Sequence, residues 1–295
     1  VFIMATRTGN YPIGFRRGWG WQDDTKKIAG FAKDNGFASI DLGGATDEDI
    51  KILRDHGLGI GSCDLLDMGL LLSDDESERK SVTEKNKEYI QKLAEDDLHL
   101  LFTAVIPKNK ENSRQQNYDL ALKTLGELAN VAHKVGSQIV IEGWPGPPPH
   151  FANLCCNPET YRKIIQDIGN SGIGVNYDPS HLIRMGIDHI KFLEEFLPHV
   201  GHVHGKDTEV FPEAVYEYGY NQLPAFTEIP NFGEGYWRYT IPGHGETRWT
   251  KVFEILEGAS WKGIVSIELE DDNFRGNEEI EKLGYLNSKL FLETA

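Results

Sequence analysis

Short apolar runs alternate along the chain with longer stretches in which apolar residues recur every three or four positions. The short runs lie at residues 2–5, 37–42, 58–65, 98–106, 138–142, 173–178, 200–207 and 263–270. Each has the length and bounded apolar character of a strand. Helical spacing fills the intervals 23–35, 47–55, 76–95, 114–135, 158–168, 188–197, 249–256 and 278–292. In the first of these, Ile28, Phe31 and Ala32 share a face; in the fourth, Leu120, Leu125, Leu128 and Val131 lie on or near one stripe.

Strand–helix alternation of this kind predicts a parallel sheet covered by helices. Eight repeats fit a closed (β/α)8 TIM barrel, a fold of typically ~250 residues. An open doubly wound sheet usually has fewer strands and often carries a glycine-rich phosphate loop after the first. Residues 6–17, read as the loop after the first strand, hold no such motif. The reading is one domain spanning 1–295. Its surplus length sits mainly at 208–243, an insertion after strand seven that is rich in Tyr, Pro, Phe and Glu. Loops that follow barrel strands form the active-site face. The insertion is therefore expected to be a lid or substrate wall, with a subunit contact as the alternative.

Composition narrows the function classes. Thirty Lys and Arg against 46 Asp and Glu leave a net charge of −16, which disfavours a polyphosphate partner. No nucleic-acid partner is expected. No apolar run approaches the ~18 residues of a membrane span, so no membrane partner is expected either. Cys63 stands far from the adjacent Cys155 and Cys156. No disulfide framework is visible, and packing is the simplest role for all three. The opening apolar residues are too short for a signal peptide. The expected location is the cytoplasm, with a removed leader left open because the chain does not begin with Met.

The chemistry is concentrated at strand ends. Strand five ends in Glu142, strand six reads Asn176-Tyr-Asp178-Pro-Ser-His181, strand seven His202-Val-His204-Gly-Lys206-Asp207, and strand eight Ser266-Ile-Glu268. Period-two alternation puts Glu142 on the face of Val140, Asp178 with Asn176, His204 with His202 and Glu268 with Ser266. If those faces point inward, four side chains from consecutive strands meet at the C-terminal mouth. Three carboxylates there would repel one another without a cation. Three oxygens and one nitrogen suit one divalent ion, Mn²⁺ first, with Mg²⁺, Co²⁺, Zn²⁺ and Fe²⁺ as alternatives. A single strand-end carboxylate is more often a helix cap or an ion-pair partner; the argument rests on four in register. His181 fits a metal ligand, a helix cap or, as favoured here, a substrate or outer contact. Lys206, Lys108 and Arg238 are candidates to anchor substrate oxygens, each also readable as a surface cation. The aromatic residues around Arg238 could stack on a sugar or pack the insertion against the barrel rim.

These residues carry a resemblance. Together with Tyr239 to Glu246, they resemble the xylose-isomerase-like TIM-barrel superfamily, in particular its sugar phosphate isomerase/epimerase group. That group includes D-tagatose 3-epimerase, hydroxypyruvate isomerase, inosose dehydratase and endonuclease IV. The resemblance is strongest over residues 137–271 and weak before 100. It implies that Glu142, Asp178, His204 and Glu268 are metal ligands, that Glu142 and Glu268 are also the acid/base pair, and that His181 contacts substrate. Strand two ends Asp41-Leu-Gly and strand three Cys63-Asp64, so the extra histidines of the DNA-repair branch are missing. The expected activity is a metal-dependent isomerase or epimerase of a sugar or keto-sugar. It would abstract a proton beside a carbonyl and pass through an enediolate. The alternative is a lyase or dehydratase that expels a leaving group from the same intermediate. The partner is a small carbohydrate, and a homo-oligomer is possible by analogy with the group.

Overall fold

A computed structural model describes residues 10–148 and 150–295. Eight parallel strands close into a barrel: β1 (Ile13–Arg16), β2 (Ser39–Leu42), β3 (Gly59–Asp64), β4 (Leu100–Ala104), β5 (Gln138–Glu142), β6 (Ile173–Tyr177), β7 (Val200–Gly205) and β11 (Val265–Ile267). Each strand pairs with the next in sequence, and β11 returns to β1. The (β/α)8 TIM barrel read from the alternation is therefore the fold. Helices α1 (Thr25–Asp34), α2 (Asp47–Asp55), α3 (Glu76–Glu95), α4 (Arg114–Lys134), α5 (Pro158–Ile168), α7 (His189–Phe196), α9 (Trp249–Gly258) and α10 (Glu278–Thr294) follow the strands. Between β6 and α7 lies a short helix, α6 (Pro179–Arg184), that the hydrophobic pattern does not announce.

The first strand differs from expectation. Residues 2–5 lie outside the described residues, and the barrel closes with Ile13–Arg16, inside the stretch read as a loop. The pattern Ile-Gly-Phe-Arg hides this strand, because Gly14 interrupts the apolar run and Arg16 ends it. The glycine is required by close approach. A Cβ at Gly14 would lie 2.2 Å from Ser39 Oγ on the neighbouring strand. Phe15 shows the other face of β1: it is fully buried among Phe31, Phe37 and Tyr285, and so joins β1 to α1 and α10.

The insertion has its own structure. Strands β8 (Asp207–Val210), β9 (Gly233–Glu234) and β10 (Trp237–Thr240) form a three-stranded antiparallel sheet in the order β8-β10-β9, with helix α8 (Pro212–Tyr218) after β8. Val210 of β8 stands opposite Trp237, and Asp207 opposite Thr240. Strand seven thus ends at Gly205 rather than 207, and Lys206 is the joint between barrel and insertion. No described helix is long and apolar enough to cross a membrane.

Candidate metal centre and active site

Strand tilt decides which side chains are level across the mouth. Glu142 on β5 has Asn176 as its ladder partner on β6, not Asp178. Tyr177 stands opposite Val203, which sets Asp178 beside His204. His204 in turn faces Ser266, two positions before Glu268. The two-residue offsets keep the inward face and climb with the barrel's stagger, which averages about one residue per strand. Sequence periodicity supplies the face; the stagger supplies the level.

Glu142, Asp178, His204 and Glu268 each offer one ligand atom, and these atoms lie within 4.8 Å of one another. His204 Nδ1 is 2.7 Å from a Glu142 oxygen, 3.6 Å from Glu268 and 3.9 Å from Asp178. Yet His204 Nδ1 and Asp178 Oδ2 are both buried with no hydrogen-bond partner. Buried polar atoms are normally paired. Carboxylate oxygens and an imidazole nitrogen converge here, a bound cation would take the place of the imidazole proton, and the hard-oxygen and imidazole set fits a divalent ion. The other Asp178 oxygen caps α6 by accepting from Ser180 N at 2.9 Å, which leaves Oδ2 for the mouth.

Charge in the cluster is tightly balanced. Burial pushes Glu268 up, but Lys206 and His204 outweigh it and hold the carboxyl well below its usual range. Burial acts the same way on Glu142, where His204 and His181 outweigh it and keep the carboxyl low. His204 is the counterpart: burial opposes its charge, but Glu268, Glu142 and Asp41 raise it well above an ordinary histidine. Lys206 is not a surface cation. It is fully buried, 2.9 Å from Glu270, 3.4 Å from Asp178 and also paired with Glu268.

His181 sits on α6 with its Nε2 3.4 Å from Asp178 and 3.5 Å from Glu142. Its Nδ1 is 2.6 Å from the Tyr239 hydroxyl, which also accepts from Arg184 at 2.8 Å. Since Arg184 can only donate, the phenol oxygen accepts from it, which leaves the phenol's own proton available to His181 Nδ1. With the phenol as donor in that bond, Nε2 is the ring nitrogen that presents a proton to the cluster. Tyr239 comes from β10 of the insertion, and Lys206 lies 4.4 Å over its ring. Trp237 stacks under Arg184 at 4.3 Å. The insertion's inner aromatic residues are thus packed against buried cations at the rim.

The remaining two candidates have partners elsewhere. Alternation turns Arg238 away from the face of Trp237 and Tyr239, and its guanidinium pairs with Glu209 across the insertion sheet at 2.7 Å. Lys108 is half-exposed and pairs with Glu78 at the start of α3.

Several residues at the site escaped the sequence reading as functional candidates. Arg16, at the end of β1, makes a two-pronged contact with Asp64 at 2.6 and 2.8 Å and lies 3.4 Å from Glu268. Asp41 on β2 is fully buried one layer below the cluster. It is 2.7 Å from His202 Nε2, 3.7 Å from His204 Nε2, and accepts from Ser266 and from Ser62 N. Arg16 and Asp64 end strands, the same signal used for strands five to eight. Asp41 was visible as an inward polar residue. Tyr239 was visible only as one of the aromatic residues around Arg238 and the start of a resembling stretch, and Arg184 left no signal; their meeting at His181 depends on contacts more than 50 residues apart.

With fold and site described, comparison places the chain in its class. It matches the Xylose isomerase-like TIM barrel family over residues 28–289 and belongs to that family. Among curated relatives, inosose dehydratase from Geobacillus thermodenitrificans is 25% identical over 158 residues, covering 54% of this chain and 49% of that protein. The chain spans about half the length of the curated relatives it matches. Among solved structures, the 3-keto-D-glucoside 4-epimerase YcjR from E. coli is similar with a TM-score of 0.69 and 16% identity, over 97% of this chain and 100% of that one. The IolI protein, solved with a zinc atom, gives a TM-score of 0.62 at 17% identity, over 96% of this chain and 95% of that one. At such identities the structural likeness is one of fold.

Proposed function

We propose that the protein is a divalent-metal-dependent isomerase or epimerase of a sugar or keto-sugar. The observation that carries this reading is the pair of unpartnered buried atoms, His204 Nδ1 and Asp178 Oδ2, facing Glu142 and Glu268. Glu142, Asp178, His204 and Glu268 would hold the ion. When bound, it supplies a Lewis acid for the oxygens beside the reacting carbon. The zinc in the IolI structure supports a divalent ion in a barrel of this kind; Mn²⁺ is our first choice for this donor set.

Glu142 and Glu268 come from strands on either side of Asp178 and His204, so they can flank a substrate over the cluster. In this mechanism one carboxylate removes the proton beside the carbonyl and leaves an enediolate. Protonation of the same carbon from the opposite face by the other gives the epimer, and delivery of the proton to the neighbouring carbon gives the isomer. His181 Nε2–H donates to a substrate oxygen. Lys206 holds Glu268 ionised when it acts as base, and the hydrogen bond to Tyr239 keeps the direction of His181 fixed. Mn²⁺-reconstituted protein is expected to exchange the substrate C–H with deuterated solvent. Glu142→Gln and Glu268→Gln should each slow that exchange by about 10²–10⁴-fold. Wild-type exchange in both variants removes the proton-transfer role, and full turnover in metal-stripped protein removes the metal.

The curated matches favour a second reading, since they include inosose dehydratases. The same enediolate expels a leaving group one carbon away, giving a dehydratase or lyase. Mass spectrometry of the product separates the readings: a mass-neutral product supports the first, loss of water or of an aglycone the second.

A further inference from the structure

A cleft of about 580 Å³ begins at Glu268 and Glu270 and runs outward between the loops after β1 and β2. It passes Arg16 and Asp64 and reaches Arg17, Trp19 and the Gly43–Gly44 turn. Its charge, size and outer wall each restrict what enters.

The charge is one-sided. Asp23, Asp49, Asp64, Glu268 and Glu270 line the cleft, against two cations, Arg16 and Arg17. Neither arginine is spare. Arg16 is held by both Asp64 oxygens, approaches Glu268, and lies 4.4 Å over the Phe102 ring. Arg17 pairs with Asp49 at 3.3 Å and donates to the Asp23 carbonyl at 2.8 Å. Lys206, just behind, is shared among three carboxylates. A phosphate or carboxylate on the ligand would find like charge and no free counter-ion. Neutral hydroxyls, by contrast, find acceptors along the whole wall.

The size exceeds one sugar ring. Pockets of about 300–1,000 Å³ take ligands of drug size, which are larger than a single hexose. The outer wall carries Trp19, which is 77% exposed and also lines an adjoining groove of about 270 Å³. An indole face at a cleft mouth, beside carboxylates that accept from hydroxyls, is suited to the apolar face of a second pyranose.

We propose that the cleft takes an uncharged carbohydrate of about two rings, a glycoside or disaccharide. The reacting ring lies at Glu268 and the second ring on Trp19, and sugar phosphates and uronates are rejected. The choice of reacting end rests on the metal-centre reading; the neutrality and length rest on the cleft alone.

The test is calorimetric binding to the Mn²⁺-loaded protein of a panel of hexoses, their methyl and phenyl glycosides, disaccharides, and the matched 6-phosphates and uronates. Solvent deuterium exchange is run on the same samples. At least one neutral glycoside or disaccharide is expected to bind, about a hundredfold more tightly than its phosphate or uronate counterpart. Trp19→Ala should narrow that glycoside's advantage over its parent hexose by about tenfold, and Trp19→Tyr should keep most of it. A phosphate or uronate as the best ligand, an advantage unchanged in Trp19→Ala, or no binding by any member overturns the proposal. Binding of a neutral glycoside without exchange in any sample upholds it while overturning the proton-transfer reading. Exchange confined to a phosphorylated sugar does the reverse.

Discussion

Asp41 determines how His204 presents itself. Its Oδ2 lies 3.7 Å from His204 Nε2 and 2.7 Å from His202 Nε2, so negative charge sits behind both rings. That favours a proton on the far nitrogen of His204 and makes Nδ1, turned toward Glu142, the nitrogen to present to an ion. Partners behind a ligating histidine orient it and raise its basicity. Gly61 makes room for this, since a Cβ there would lie 1.9 Å from Asp41 Oδ1. Asp41→Asn keeps the shape and weakens the charge. It is expected to lower Mn²⁺ affinity by about 10–100-fold in equilibrium dialysis, with a near-native circular dichroism spectrum. Unchanged affinity would show that Asp41 serves only packing. At this scale the inward carboxylates and His204 were readable as strand-end residues. The roles of Arg184 and Tyr239 were not, because Arg184 has no periodic or motif signature and Tyr239 reaches His181 and Arg184 only by folding.

At the level of elements, two devices are open to measurement. Ser113 and Gln116 form a reciprocal cap on α4: Ser113 Oγ accepts from Gln116 N, and Gln116 Oε1 accepts from Ser113 N. Ser113→Ala should cost about 1 kcal/mol in urea unfolding with an unchanged m-value. Asp207 fastens the insertion at both ends. Its carboxylate accepts from Thr208 N, Thr247 N and hydroxyl, Gly243 N and the Trp249 indole. Asp207→Ala leaves those buried donors unpaired, and a loss of about 3 kcal/mol or more is expected. Proteolysis within 208–243 should rise in step; an unchanged cleavage pattern would mean that the aromatic packing alone holds the insertion. The long helices were legible because their apolar stripes repeat over several turns. β1 was not, because four residues containing a glycine and an arginine carry no periodic signal. α6 was hidden for a related reason: six residues are too few to display one.

For the whole molecule, the metal-centre reading predicts that the buried carboxylates at the mouth tie stability to a bound ion. A ligand that binds only the folded chain stabilises it in proportion to the logarithm of its concentration, about 2.7 kcal/mol at a hundredfold excess over Kd. Chelator-treated protein should therefore melt lower than protein with Mn²⁺, and the melting temperature should climb with added metal. In the variant His204→Ala the climb should vanish; a climb that persists places the ion elsewhere.

The chain's own pattern was enough to specify a (β/α)8 barrel, the inward faces of its strands and the four side chains that end up in one cluster. Those features follow from periodicity, which is local and repeats eight times. Tertiary structure decided the rest. Stagger around the barrel chose which inward residues stand level, so that Glu142 reaches Asp178 as well as its ladder neighbour Asn176, whose amide donates to it at 3.0 Å. Alternation within the insertion sheet turned Tyr239 toward the site and Arg238 toward Glu209. Closure brought Arg16 and Asp64 to opposite edges of one salt bridge 48 residues apart in sequence. Contacts of that span depend on how strands tilt and close, and no window of sequence contains both partners.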